Sequence, residues 1–99
     1  MVASLTPASV VVASKDQVST QLSGEAVILG MTDGVYYGLD PVGARIWALV
    51  QEPRALDDVA DVIAAEYAVE RGRAMADLLA LAGQLVERGL LEIVPRPAA

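Results

Sequence analysis

The sequence predicts an α+β fold, a three-stranded antiparallel sheet followed by three helices. Three observations carry that prediction: a first third rich in Val, Thr and Tyr and broken by turn signals, an Asp-Gly pair between two apolar runs, and a switch to helical spacing at Asp40-Pro41. Strands come first and helices after, the order of a sheet with its helices gathered on one side. With 99 residues the chain forms one domain, assigned to residues 1–94, with Pro95 to Ala99 as a flexible tail.

From Ser9 to Leu39, punctuation at Lys15-Asp16-Gln17, Ser23-Gly24-Glu25 and Thr32-Asp33-Gly34 divides the chain into short strands. Asp33-Gly34 is the strongest turn signal, and it places a hairpin between Ala26-Val27-Ile28-Leu29-Gly30 and Val35-Tyr36-Tyr37-Gly38-Leu39. One or more earlier strands fall within Val10 to Leu22. Asp40 then caps a helix with Pro41 in its first turn, and Val42, Ile46, Leu49 and Val50 recur at helical spacing to about Gln51. Pro53 stops it. Leu56, Val59, Ala60, Ile63, Ala64 and Tyr67 mark a second helix, with Asp57 and Asp58 at the positive end of its dipole but no hydroxyl or amide side chain to cap it. A third helix spans about Arg71 to Arg88, ends at Gly89 as a left-handed cap, and is followed by a short strand over Leu90 to Val94.

Composition excludes much chemistry. The chain has no Cys and no His, hence no disulfide, thiolate nucleophile, imidazole base or soft metal ligand. Its net charge of −6 repels phosphate backbones, so a nucleic-acid partner is not expected. The first 15 residues have no basic start, and the apolar run Val10 to Ala13 is too short for a signal peptide or a membrane span; the expectation is a cytoplasmic protein with no membrane partner. Asp57 and Asp61, one helical turn apart, lack further ligands nearby and read as solvated acids, so no metal is expected. The glycines from Gly24 to Gly43 do not follow a phosphate-binding spacing, Ser and Thr lack an imidazole partner, and Trp47 reads as core. No cofactor and no catalytic residue is expected, and the chain reads as a non-enzyme.

Two features exceed what a small fold needs. On the third helix, Leu81, Ala74, Leu85, Leu78, Ala82, Met75, Val86 and Leu79 fill an arc of roughly 160°, against the ~100° that covers a core. One edge of that arc is free to line a groove, beside a polar flank of Arg73, Asp77, Gln84 and Arg88. The second feature is the strand Val35 to Leu39, without a charge or a proline, which follows a hairpin and feeds straight into a helix: either the N-terminal segment pairs its far side or one edge has no neighbour. Such an edge is a template for an incoming extended peptide. On this reading, proline at Tyr37 removes a backbone donor from the edge.

The segment Gly34-Val35-Tyr36-Tyr37-Gly38-Leu39-Asp40-Pro41-Val42-Gly43-Ala44-Arg45-Ile46-Trp47, with Glu66-Tyr67, Asp77-Leu78, Leu85 and Gly89-Leu90-Leu91, resembles the PqqD-like family of peptide-binding domains, the RiPP precursor peptide recognition elements. The likeness covers about residues 9 to 94 and is nearest to the stand-alone members beside lasso peptide maturation enzymes. It implies a winged helix-turn-helix-like fold without catalysis. It also implies a chaperone that binds a precursor leader peptide and presents it to a leader peptidase and a macrocyclase. In the family the leader adds antiparallel to the third strand and lies against the third helix. Carried over, the implied site is Val35, Tyr36, Tyr37, Gly38 and Leu39 with Met75, Asp77, Leu78, Leu81, Ala82 and Leu85. This sequence departs from the family at Ala55, where a hydroxyl cap is usual, and at Glu70-Arg71-Gly72, where an Asp-Pro start is usual. The alternatives are a winged-helix DNA-binding regulator, disfavoured by the apolar third helix, and an adaptor that dimerises through the strand edge.

Overall fold

The computed structural model describes residues 5–95. Met1 to Ser4 and the tail residues Arg96 to Ala99 lie outside it, and with them most of the expected flexible tail. In chain order the elements are β1 (Val10–Ala13), β2 (Gln17–Leu22), β3 (Glu25–Gly30), β4 (Tyr36–Leu39), α1 (Pro41–Leu49), β5 (Arg54–Ala55), α2 (Leu56–Tyr67), α3 (Arg71–Glu87) and β6 (Leu91–Val94).

The strands form two antiparallel sheets, ordered β5-β1-β6 and β2-β3-β4. This corrects the expectation of one three-stranded sheet ahead of the helices. The segment from Val10 to Leu22 divides at Ser14, a buried residue whose hydroxyl accepts from Asp16 N–H at 3.1 Å and whose carbonyl accepts from Gln17 Nε2 at 3.0 Å. That bend sends β2 back along β3. It leaves β1 to pair instead with the chain's far end, Val11 opposite Ile93 and Ala13 opposite Leu91. β5, which the sequence reading did not anticipate, pairs with β1 through Val10 opposite Ala55.

The β3–β4 hairpin turns where Asp33-Gly34 indicated. Gly34, at φ +67°, donates to the Gly30 carbonyl at 2.8 Å, while Gly30 donates to the Val35 carbonyl at 3.0 Å. Two residues of the outgoing strand thus oppose one of the incoming strand, a bulge that requires glycine in the left-handed region. Asp33 Oδ1 accepts from Val35 N–H at 3.0 Å and fixes the exit from the turn.

Asp40 ends β4 and starts α1 in one step, its Oδ1 accepting from Gly43 N–H at 2.8 Å with Pro41 at the first helical position. α1 ends at Leu49, two residues short of the expected end. α2 begins at Leu56 behind Ala55, which provides no side-chain cap, as its sequence indicated, and is followed by Ala68 held at φ +52°. α3 closes with Gly89 at φ +74°: Leu90 N–H donates to Leu85 O at 2.9 Å and Gly89 N–H to Val86 O at 3.0 Å, the paired bonds of a Schellman end.

One core joins the sheets to the helices. The inner face of β2-β3-β4, through Ala26, Ile28 and Leu39, packs with Ile46, Trp47, Leu56, Val59, Ile63, Leu78, Ala82, Leu85, Leu90 and Val11. Trp47 is 2% exposed, and its indole donates to Ser19 Oγ on β2 at 3.0 Å, which satisfies the one polar atom of the largest core side chain.

Candidate functional site

The β2-β3-β4 sheet ends on β4, whose sole strand partner among the described residues is β3. Which backbone groups the free side presents follows from register. Gly30 N–H bonds to β4's side of the hairpin at Val35, and Met31 N–H bonds to Asp16 beyond β2 at 3.0 Å. Bonded pairs alternate along an antiparallel ladder, so the even residues of β3 face β4 and the odd ones face β2. With Ile28 opposite Tyr37 and Ala26 opposite Leu39, the N–H and C=O of Tyr37 and Leu39 are engaged with β3. Those of Tyr36 and Gly38 point out of the sheet. The donor at Tyr37 therefore belongs to the fold, and proline there removes a bond to β3 and not one from the edge.

Side chains divide by the same alternation. Tyr37 and Leu39 lie on the inner face with Ile28 and Ala26, whereas Tyr36, 69% exposed, stands on the outer face in a row with Leu29 and Val18. Tyr36 offers the edge its backbone alone. Gly38, also on the outer face, has open space where a Cβ would sit.

Beside this edge lies a groove of about 860 Å³. One wall is the end of β4 and the start of α1, with Gly38, Leu39, Asp40, Val42, Gly43 and Ile46. The other wall runs from Ile63 and Tyr67 of α2 through Ala68, Val69 and Glu70 to Arg73, Ala74, Asp77, Leu78 and Leu81 of α3. Its floor is apolar, formed by buried Leu39, Ile46, Ile63 and Leu78, while Leu81 is half-buried and Asp77 exposed at the rim. Contacts between β4 and the far end of α3 lie outside this lining. There Arg88 stacks over the Tyr37 ring at 5.5 Å from its centroid, and the Tyr37 hydroxyl donates to Asp33 Oδ2 at 3.3 Å.

Of the residues the resemblance implied, the groove gathers Gly38, Leu39, Asp77, Leu78 and Leu81. Tyr36 and Tyr37 belong to β4 without lining it, and Val35 lies just before the strand. Met75, Ala82 and Leu85, at 8%, 2% and 4% exposure, sit in the core behind it. The α1 and α2 walls, above all Tyr67 and Ile46, were not anticipated. An aromatic residue left 39% exposed at the last position of α2 is the signal that pointed there, but the sequence alone placed Tyr67 on an apolar helical stripe.

The charges around the groove are arranged unevenly. Arg45 of α1 donates to both carboxylate oxygens of Glu66 on α2, at 2.9 and 2.8 Å. That hydrogen bond holds the Glu66 carboxyl below its ordinary value and raises the Arg45 guanidinium. Arg71 is likewise raised by hydrogen bonds to Asp61 and Asp57, clamping the start of α3 onto α2. Both pairs lie on exposed surface and act mainly to orient helices. No cluster of three or more metal-ligating side chains occurs among the described residues, and no described helix is long and apolar enough to cross a membrane. What the site offers is main-chain hydrogen bonding along one line and apolar contact beside it.

Residues 25–91 match the family model described as coenzyme PQQ synthesis protein D (PqqD). Among solved structures the chain is similar to TbiB1, determined in complex with the TbiA(beta) leader peptide, with 36% identity and a TM-score of 0.78 over 86% of this chain and 99% of that one. It also shares its fold with the PqqD truncation of Methylobacterium extorquens PqqCD, a stand-alone RiPP recognition element, at 16% identity and a TM-score of 0.75 over 90% of this chain and 95% of the other. No curated protein sequence matches it.

Proposed function

The chain belongs to the PqqD family, and from that premise we propose that it is a non-catalytic recognition element for the leader segment of a ribosomally made precursor peptide. The leader adds as a strand to the free edge of β4 and settles its apolar side chains in the groove against α3. The protein then delivers the peptide to a leader peptidase and a macrocyclase, as in lasso peptide maturation, in the cytoplasm. The observation that carries this reading is the pairing of an unpartnered edge, with Tyr36 and Gly38 facing outwards, and an adjoining apolar groove. Similarity to TbiB1, solved with a leader peptide, supports it.

The energetics require both parts. Four backbone hydrogen bonds, two each at Tyr36 and Gly38, contribute about 0.5 to 1.5 kcal/mol apiece, and ordering a disordered peptide costs about 2 to 5 kcal/mol. Strand addition alone is close to neutral. Apolar anchors at about 1.5 to 3 kcal/mol each, seated over Leu39, Leu78 and Leu81, supply the surplus. A DNA-reading role gains nothing from this surface, since the groove carries Asp40, Glu70 and Asp77 against a single arginine.

The test is a titration of the ¹⁵N-labelled protein with the TbiA(beta) leader peptide, followed by amide shifts. Saturable shifts centred on Tyr36, Gly38, Leu78 and Leu81 are expected. Saturable binding whose shifts fall elsewhere, or no binding at all, overturns the proposal.

A further inference from the structure

The groove has an apolar floor and an excess of acidic side chains in its lining. Of the six described basic residues, Arg73 alone lines it, whereas Asp40, Glu70 and Asp77 all do. The neighbouring cations are committed elsewhere: Arg45 to Glu66, Arg71 to Asp57 and Asp61, and Arg88 to the Tyr37 ring. Among the described residues Arg73 makes no ion pair, and this one cation stands in the lining against the three carboxylates of Asp40, Glu70 and Asp77. Asp40 spends Oδ1 on Gly43 N–H and keeps Oδ2 clear. Glu70 makes no capping bond to α3. Tyr67 adds a part-exposed ring to the lining.

Register fixes where a guest strand meets these groups. Guest residues bonded to Tyr36 and Gly38 turn their side chains to the outer face, so the residue opposite Leu39 points inwards over Leu78 and Leu81. The next inward side chain is two residues on, about 7 Å further, level with Asp40 and the start of α1. Every pair in this sheet is antiparallel, and antiparallel pairing is the more stable per residue, so that position is N-terminal to the apolar anchor.

Building on the leader-binding reading, we propose that the groove selects a leader carrying Lys or Arg two residues before its apolar anchor, received by Asp40, Glu70 and the Tyr67 ring. The carboxylates attract the cation, and the ring's face accommodates it. A Glu at that position meets like charge.

The probe is the TbiA(beta) leader peptide, prepared as an alanine scan to locate the anchor and as paired Lys and Glu replacements at each position. Each is titrated against the full chain by calorimetry. The Lys version is expected to bind roughly threefold to thirtyfold more tightly than the Glu version at the second residue before the anchor. The gap narrows as salt rises from about 0.05 M to about 0.5 M. It closes or reverses in Glu70→Lys, a variant whose helix content is checked by circular dichroism. Equal affinity of the Lys and Glu versions, with the anchor still evident in the alanine scan, overturns this inference and leaves leader binding standing. Failure of every peptide to bind overturns both.

Discussion

Replacing Gly38 with proline removes an outward amide hydrogen from the β4 edge and nothing the fold itself uses. The Gly38 N–H faces away from β3, and the position has no atom within 4 Å of where a Cβ would sit. Proline is tolerated on edge strands in this orientation. It also favours extended backbone at the preceding residue, which Tyr37 already adopts. A guest strand loses one hydrogen bond of about 0.5 to 1.5 kcal/mol, and its opposing carbonyl, left facing the proline ring, forfeits about 1 to 3 kcal/mol more if fully buried. That carbonyl keeps some water at an exposed edge, so the total is near 2 kcal/mol, a Kd raised about thirtyfold. The assay is fluorescence anisotropy with a labelled TbiA(beta) leader peptide, alongside thermal melts of each variant. Gly38→Ala keeps the donor and is expected to bind like the parent, while Tyr37→Pro breaks a bond to β3 and is expected to lower the melting temperature. A folded Gly38→Pro protein with unaltered affinity would falsify the assignment of this edge.

Leu81→Ala is expected to weaken leader binding about tenfold to a hundredfold with little change in stability, because Leu81 is half-buried at the groove rim. Leu85→Ala, one turn on but in the core, is expected to cost about 2 to 5 kcal/mol of stability, read by urea titration. Ala68→Gly relieves a left-handed alanine at the end of α2 and is expected to stabilise the chain by about 1 kcal/mol, seen as a melting temperature raised by roughly 4 to 8 °C. Glu66 has its folded carboxyl lowered, so the stability it lends is complete above the unfolded value of 4.5 and is lost as pH falls through the lower folded value. Glu66→Gln is accordingly expected to flatten the acid limb of a melting temperature against pH curve.

Elements set by neighbouring residues were legible in the sequence. Asp33-Gly34 specifies its bulged turn, Asp40-Pro41 specifies a capped helix start, and Gly89 specifies the end of α3, because each signal acts within a few residues. The division of the first strand region at Ser14 was not legible. It depends on β1 finding β6 some eighty residues away and on the two-residue β5, pairings that leave no local pattern. The same contrast runs through the site. The place of β4 between a hairpin and a helix pointed to an edge, but pairing on both sides with the N-terminal segment was also compatible with the sequence. Which of its amides point outwards could not be read at all, since that parity is set by the bulge at Gly34 and the bond from Gly30 to Val35. On α3 the over-wide apolar arc was visible, but its orientation against the core separates Leu81 from Ala82 and Leu85, and no helical projection supplies that angle.

The parts of the site depend on one another through a single short connection. Asp40 both ends β4 and caps α1, so the strand whose edge is free cannot shift without moving the helix that forms one groove wall. Within the opposite wall Arg71 clamps α3 onto α2, and the pair of Arg45 on α1 with Glu66 on α2 ties the two walls to each other. A peptide engaging the edge thereby meets a groove whose width is already set, and its side chains need not order the protein as well as themselves. That preorganisation matters because the four edge hydrogen bonds barely offset the cost of ordering the guest. On the proposed reading affinity resides in Leu39 and Leu78 of the floor and Leu81 at the rim, while the edge fixes which guest residues reach them. On that same reading, register along one strand converts a guest's sequence into positions along a groove.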